Sequence, residues 1–238
     1  VMMFEVPESA RQEIKFVTNH YNYHEIILWI RMNEHNFVNA YQDRWINSIY
    51  FDTYDYHSYV ANLSGQSART KLRYRWYGKK KYPSAGQLEV KIKRNFFGWK
   101  KTFPVANDPY KEGDNWRKVI KNIACQLPGD VAHMLRSYNF PVIINRYKRS
   151  YYVSSDKKIR ITVDRSQTVY DQRHKAFPEL DRESNLPDTV VTEIKFDRSD
   201  SRIANKIMQG FPVRVSRHSK YMNAVDSVSG NRLQYKSR

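Results

Sequence analysis

In the segment from Ala68 to Trp76 the basic residues Arg69, Lys71, Arg73 and Arg75 fall at every second position, with Leu72, Tyr74 and Trp76 alternating between them. A period of two sends successive side chains to opposite faces of a β-strand, so this segment predicts a strand with one basic and one apolar face. The same alternation runs from Gln87 to Lys93, where Glu89, Lys91 and Lys93 oppose Leu88, Val90 and Ile92. It recurs from Arg11 to Phe16, where Arg11, Glu13 and Lys15 oppose Ile14 and Phe16. From Lys158 to Asp164, Arg160, Thr162 and Asp164 oppose Ile159, Ile161 and Val163, and from Val190 to Phe196, Glu193 and Lys195 oppose Ile194 and Phe196. Asn145–Tyr152 is β-prone but alternates less cleanly. With Asn47–Asp52 and Lys100–Val105 the strand candidates come to roughly eight. Helical spacing is confined to shorter stretches. These are Tyr23–Met32, Asp114–Gln126 (Trp116, Val119, Ile120 and Ile123), Val131–Ser137, Asp200–Gln209 and Lys220–Val225. The fourth of these is expected to start at an Asp200 or Ser201 cap and to end at Gly210.

A single alternating basic strand is ordinarily the solvated face of an antiparallel sheet. Five of them ask for more, because each also carries an apolar face that must be covered. Closing the sheet with its polar faces inward gives a charged tunnel, and the helices then cover the apolar outside. Such an interior is costly unless an anionic ligand or a metal compensates it. The expected fold class is therefore α+β, mainly β: a sandwich or barrel with helices packed around it. Proline and glycine do not cluster into a linker, so residues 1–238 are read as a single domain.

Composition sharpens this picture. The 238 residues hold 41 Lys+Arg against 24 Asp+Glu, a net charge of +17, on a chain whose 40% hydrophobic content is too rich for a disordered basic tail. The apolar run Glu25–Ile30 is far too short to span a membrane, and the first residues show no secretory pattern. The lone cysteine, Cys125, excludes a disulfide framework and a cysteine-based zinc site, and fits a reducing, cytoplasmic setting. It is expected to pack as a core residue on the apolar side of its helix. Neither a Walker-type phosphate loop nor a G-x-G-x-x-G sequence occurs, so phosphate would have to be held by side chains. The seven histidines lack metal-site spacing, and His218, beside Ser219 and Lys220, is the one with a possible role as proton donor or phosphate contact. The strand tyrosines, among them Tyr50, Tyr74 and Tyr147, read as packing residues with a polar tip.

At the alternating strands the sequence resembles the polyphosphate polymerase domain of the vacuolar transporter chaperone (VTC) family, within the wider triphosphate tunnel metalloenzyme group. The resemblance runs from about Arg11 to Val225 through QEIKFV, INSIYFDT, RTKLRYRWYG, QLEVKIKR, GWKKTFPV, YKRSYYV, IRITVD, VVTEIKF and HSKYMNAV, in that order. It implies an eight-stranded antiparallel barrel and a stand-alone form without membrane helices. It also implies phosphate ligands at Lys15, Arg73, Arg75, Lys91, Lys100 (or Lys101 by register), Arg149, Arg160, Ser219 and Lys220. Of these, Arg73, Arg75, Lys91, Arg149, Arg160 and Lys220 are the implied catalytic set. Glu193 matches the carboxylate that binds a divalent metal, Mn²⁺ or Mg²⁺. Glu13 and Glu89 are read either as helpers of that metal or as ion-pair partners of the lumen bases.

Such a site suits phosphoryl transfer, which asks mainly for positioning and electrostatic stabilisation. The expected activity is polyphosphate synthesis from ATP, with ATP, triphosphate or polyphosphate as the partner. The alternatives are a triphosphatase or polyphosphatase and a non-catalytic polyphosphate-binding module. Nonspecific nucleic-acid binding fits the charge but not the strict alternation with embedded glutamates, so no nucleic acid is expected.

Overall fold

The computed structural model describes residues 12–95, 97–184 and 186–229; Arg11, part of the first alternating segment, lies outside them. Nine strands form one antiparallel sheet: β1 (Gln12–Asn19), β2 (Val38–Asp52), β3 (Ala68–Tyr77), β4 (Gly86–Arg94), β5 (Phe97–Val105), β6 (Phe140–Val153), β7 (Arg160–Asp171), the two-residue β8 (Glu183–Ser184) and β9 (Thr189–Phe196). Their order is β1-β9-β7-β6-β2-β3-β4-β5, with β8 added to β7. Each of the eight strand candidates overlaps a strand of this sheet, although Lys158 and Ile159 precede β7. The helices are α1 (Tyr23–Met32), α2 (His57–Leu63), α3 (Trp116–Ala124), α4 (Gly129–Ser137), α5 (Ser201–Gln209) and α6 (Lys220–Val228). No described helix is long and apolar enough to cross a membrane.

The sheet curls with its polar faces inward, and the outward apolar faces are covered by helices. Leu72, Tyr74, Trp76, Leu88, Val90 and Ile92 lie under Trp116, Val119 and Ile123 of α3 and Val131 and Leu135 of α4. On the other flank, Phe16, Ile161, Val163, Ile194 and Phe196 lie under Ile26 and Ile30 of α1 and Ala204 and Ile207 of α5. Burying each large apolar side chain contributes about 1.5–3 kcal/mol. These two layers are therefore what holds an inside-polar sheet together. A third cluster joins Tyr221, Ala224 and Val225 of α6 to Tyr50, Ile143 and Val169, so α6 fills one end of the curl.

The closed barrel expected from the alternation is not formed. Among the described residues β1 and β5 share no ladder, and the sheet remains an open curl. The cause is local. The free edge of β1 is taken by the segment between α5 and α6, where Val215 bridges Phe16 and Ser216 N–H donates to the Lys15 carbonyl at 2.9 Å. Three residues on, the His218 carbonyl accepts from Lys15 Nζ at 3.2 Å, and the Ser219 hydroxyl accepts from Lys71 Nζ of β3 at 2.9 Å. A crossing segment, not a strand pair, thus seals the seam.

The helix α2 was not expected. It is short, and its start is built by a tertiary cap: Asp52 at the end of β2 accepts from the backbone N–H groups of Ser58 (2.8 Å) and Tyr59 (3.1 Å). Asp200 precedes α5, but its side chain makes no capping bond. Cys125 departs from the core placement read from its helical position: it is exposed just past the end of α3. There the last turn has rotated it off the buried face that Val119 and Ile123 occupy.

Candidate functional site

The inward faces of β1, β3, β4, β6, β7 and β9 bring most of the singled-out bases to one lumen. The register makes this possible. Arg73 stands opposite Glu89, Lys15 opposite Glu193 and Arg149 opposite Asp164, so each pair shares a face. Lys100 stands opposite Lys91 on the lumen side, whereas Lys101 is opposite Val90 on the outer side. The choice between Lys100 and Lys101 therefore falls to Lys100.

One half of the site is organised by Glu89, which is completely buried. Its Oε2 accepts from Arg73 Nε at 2.5 Å, and its Oε1 lies 2.6 Å from Lys100 Nζ and 3.6 Å from Arg75 Nη1. Tyrosine hydroxyls complete the two guanidiniums. Arg73 Nη1 donates to Tyr50 at 3.0 Å and Arg75 Nη2 to Tyr147 at 3.1 Å. Burial alone would raise the Glu89 carboxyl, but Arg73, Arg75 and Lys100 outweigh it and hold the group ionised far below the usual carboxylate range. Arg73 is in turn held charged against its own burial by Tyr50 and Glu89.

The other half centres on Asp164 and Glu193. Arg149 grips Asp164 with two parallel bonds, Nε to Oδ1 at 2.5 Å and Nη2 to Oδ2 at 2.6 Å, and Lys220 Nζ lies 2.5 Å from the same Oδ2. Bidentate pairing fixes a guanidinium in plane and in register. Glu193 is ringed by Lys195 (2.8 Å), Lys15 (3.4 Å), Arg149 (3.6 Å) and Lys220 (3.9 Å). Glu13 lies 3.0 Å from Lys15 and 3.8 Å from Lys91. Burial opposes ionisation of Glu13, yet Lys91, Lys15 and Lys195 bring its carboxyl down to about 2. Glu13 and Glu89 are therefore ion-pair partners of the lumen bases.

Charge is not balanced here. Among the described residues, Lys15, Lys71, Arg73, Arg75, Lys91, Lys100, Arg149, Lys195 and Lys220 face Glu13, Glu89, Asp164 and Glu193. The surplus shows in the two amines that carboxylates compensate least. Desolvation, then Lys91 and Lys15, push the Lys71 amine down to about 7. Lys91 gains from Glu13, but burial and Lys15 outweigh that and leave it at about 8. His218 is driven to about 3 by burial and by Lys220 and Lys15, so it is a neutral imidazole and carries no proton to donate from a cationic form at ordinary pH.

Arg160 is the exception among the implied ligands. It is exposed at the first residue of β7, opposite Lys195, and lines a small basic recess with Lys157 and Lys158 at the mouth. Several lumen residues escaped the sequence reading, among them Lys195, seen only as part of an alternating strand. Asp164 had been seen only as a member of an alternating strand; its place opposite Arg149 depends on a bulge between Arg146 and Lys148. Lys71 carries the signal of the others, since it shares the face of Arg73 and Arg75. Tyr147 lies two residues before Arg149 and so on the same face.

Among the described residues, no group of three His, Cys, Asp or Glu side chains is placed to hold a metal ion. Glu193 offers one carboxylate, already faced by ammonium and guanidinium groups. This donor set does not fit a resident, all-protein metal cage. It does fit a hard cation that arrives on a phosphate chain and takes most of its ligands from phosphate oxygens and water, as Mg²⁺ commonly does.

The family model described as the VTC domain matches residues 10–229. No curated protein matches the chain. Among solved structures, a structural-genomics target from Vibrio parahaemolyticus is 12% identical with a TM-score of 0.47, covering 90% of this chain and 96% of that one. The PH1819 protein of Pyrococcus horikoshii OT3 is also 12% identical, with a TM-score of 0.45 and coverage of 89% and 97%. A chain of the Schizosaccharomyces pombe Mediator head module is 7% identical, with a TM-score of 0.46 and coverage of 86% and 96%. At these identities and scores the solved structures say nothing about activity.

Proposed function

Because this chain belongs to the VTC domain family, we propose that it is a metal-dependent phosphotransferase whose lumen holds a triphosphate and which builds polyphosphate from ATP. The observation that carries this reading is the convergence of nine cations on four carboxylates along the inward face of one curled sheet. A triphosphate supplies the missing negative charge, and its oxygens take charge-assisted bonds from several directions.

The residues divide the work. Arg73 and Arg75, set by Glu89, Tyr50 and Tyr147, present their outer N–H groups from β3, and Lys100 adds a point charge from β5. Arg149, fixed by Asp164, and Lys220 face them from β6 and α6, with Lys15 between. Ser219, which caps α6, stands next to Lys71. Lys91 continues the lining along β4, and Arg160 waits at the mouth.

In the reaction, the bond between the γ-phosphorus and its bridging oxygen breaks, ADP leaves with the electron pair, and a terminal oxygen of the acceptor chain forms the new P–O–P bond. Positioning and charge stabilisation suffice for this step, so no protein nucleophile is required. A divalent ion, Mn²⁺ or Mg²⁺, held by Glu193 together with the phosphates would neutralise charge developing on the transferred group.

Incubating the purified chain with ATP and Mn²⁺ or Mg²⁺ tests this. A ladder of polyphosphate on a gel is expected, and Arg73→Ala should abolish both it and tripolyphosphate binding. Release of free phosphate without a polymer would instead assign the same lumen to hydrolysis. Tripolyphosphate binding that survives Arg73→Ala would remove the lumen from the reaction altogether.

A further inference from the structure

Ser219 and Lys220 reach the lumen from the start of α6, and both lie outside the strand ladders. Their places therefore depend on how the helix is seated. Ala224 and Val225 rest on Ile143 and Val169, but apolar burial has no direction and leaves a helix free to turn about its axis or slide along it. A hydrogen bond to a buried group supplies the missing direction. Asp52, completely buried at the end of β2, provides that group. Its Oδ1 accepts from the backbone N–H groups of Thr53 and Ser58, both at 2.8 Å, and its Oδ2 from that of Tyr59 at 3.1 Å. The Tyr221 hydroxyl of α6 donates to the same Oδ2 at 2.5 Å. A carboxylate offers about four acceptor sites, so the one that starts α2 has its last site taken by α6.

The ring of Tyr221 is fixed as well. It is buried and stacks on Tyr50 with centroids 5.3 Å apart, and the Tyr50 hydroxyl is the one that accepts from Arg73. Lys220 stands one residue away. Its Nζ lies 2.5 Å from Asp164 Oδ2 and 4.8 Å from the centroid of the Tyr147 ring. We propose that Asp52 and Tyr221 are positioning residues of the lumen: their bond sets the first turn of α6 and thereby the reach of Lys220 to Asp164. A bond of the same kind lies further along the helix, where Val225 and Ser227 flank Asp226: the Tyr59 hydroxyl of α2 donates to Asp226 at 2.5 Å. That bond anchors α6 without setting Lys220. The consequence for ligand binding rests on the phosphate reading of the lumen; the positioning itself does not.

Tyr221→Phe removes the hydroxyl and keeps the stacked ring, whereas replacing Asp52 would also undo the start of α2. Tyr59→Phe removes the matching hydroxyl of the other bond. Calorimetry with tripolyphosphate at low salt, where weak ionic complexes remain measurable, compares the two variants with the wild-type chain. Both should lower the melting temperature. Tyr221→Phe should weaken tripolyphosphate binding by about tenfold, and Tyr59→Phe by less than about twofold. In a Lys220→Met background no ammonium is left to place, and Tyr221→Phe should then cost less than about twofold more. In polyphosphate synthesis, Tyr221→Phe should move the same one of kcat and KM that Lys220→Met moves, by a smaller factor.

Equal losses of affinity in Tyr221→Phe and Tyr59→Phe would show that both act through stability alone, and would overturn the proposal. So would a loss of about tenfold that persists undiminished without the Lys220 ammonium. If the wild-type chain does not bind tripolyphosphate, the phosphate reading of the lumen falls, and melting temperatures decide the positioning by themselves. A Tyr221→Phe/Lys220→Met double variant that loses less than the sum of the two single losses upholds it, because the two residues then share one interaction. Strict additivity overturns it.

Discussion

Lys71 is the lumen residue whose charge is most sensitive to what lies beside it. Its amine, held at about 7 by burial and by Lys91, Lys15, Arg69 and Arg73, is half neutral near physiological pH. An anion beside it reverses that balance and draws a proton in. Triphosphate affinity should therefore fall as pH rises above 7, by up to about tenfold per unit, with net proton uptake on binding. Calorimetry in two buffers of different ionisation enthalpy measures that uptake, and Lys71→Met should reduce it. An unchanged proton count in the variant would show that another group titrates. The neighbouring residues show what could be read beforehand and what could not. Lys15, Arg73, Arg75 and Lys91 were legible because period two fixes their face, whereas Lys100, Arg149 and Lys220 came from the family resemblance. Their carboxylate partners were harder to see, since Asp164 meets Arg149 only through a bulge and Glu89 collects cations from β3 and β5 together.

Among the elements, β3 and β4 carry the largest share of the site, and Gly86 at the start of β4 leaves no room for a side chain against β3. A Cβ there would lie 2.4 Å from the Tyr74 hydroxyl and 2.5 Å from the Arg75 carbonyl. The second contact is backbone, so the strand itself must move. Gly86→Ala should destabilise the protein by about 1–3 kcal/mol and disturb the nearby Arg73–Glu89 pair, read as a loss of both urea midpoint and tripolyphosphate affinity. A midpoint within experimental error of the wild type would show that the hairpin gives way at no cost. The strands themselves were legible from alternation, and α1 from its apolar spacing. The open seam and α2 were not. The seam depends on a segment far off in sequence, the crossing segment against β1, and α2 on Asp52, close in sequence but placed to cap only by the end of β2.

For the whole molecule, the inward charges make stability depend on acid in a defined direction. Glu13 sits at about 2, and Glu89, Asp164 and Glu193 are also held below their ordinary values by the surrounding bases. A carboxyl whose folded pKa is depressed contributes stability that is present above its unfolded value of about 4.5 and is lost as pH falls through the folded one. Denaturation midpoints should hold from neutral pH to about 5 and then drop steeply toward pH 2. Tripolyphosphate should raise the midpoint most where the lumen is fully charged. A midpoint flat down to pH 3 would mean that the carboxylates are less tightly paired than the distances indicate.

The seam has one more consequence, and it concerns time. Contacts that complete the lumen join residues very far apart in the chain: Lys15 to His218 over 203 positions, Tyr221 to Asp52 over 169, Lys71 to Ser219 over 148. Closing such distant contacts is slow, because the entropy of a long loop is lost before the contacts form. During synthesis, the strands that bear Arg73, Lys91 and Arg149 leave the ribosome well before the segment that seals them. The growing chain therefore passes through a stage in which its bases are exposed and its β1 edge is bare, and the lumen is complete only once residue 220 has emerged.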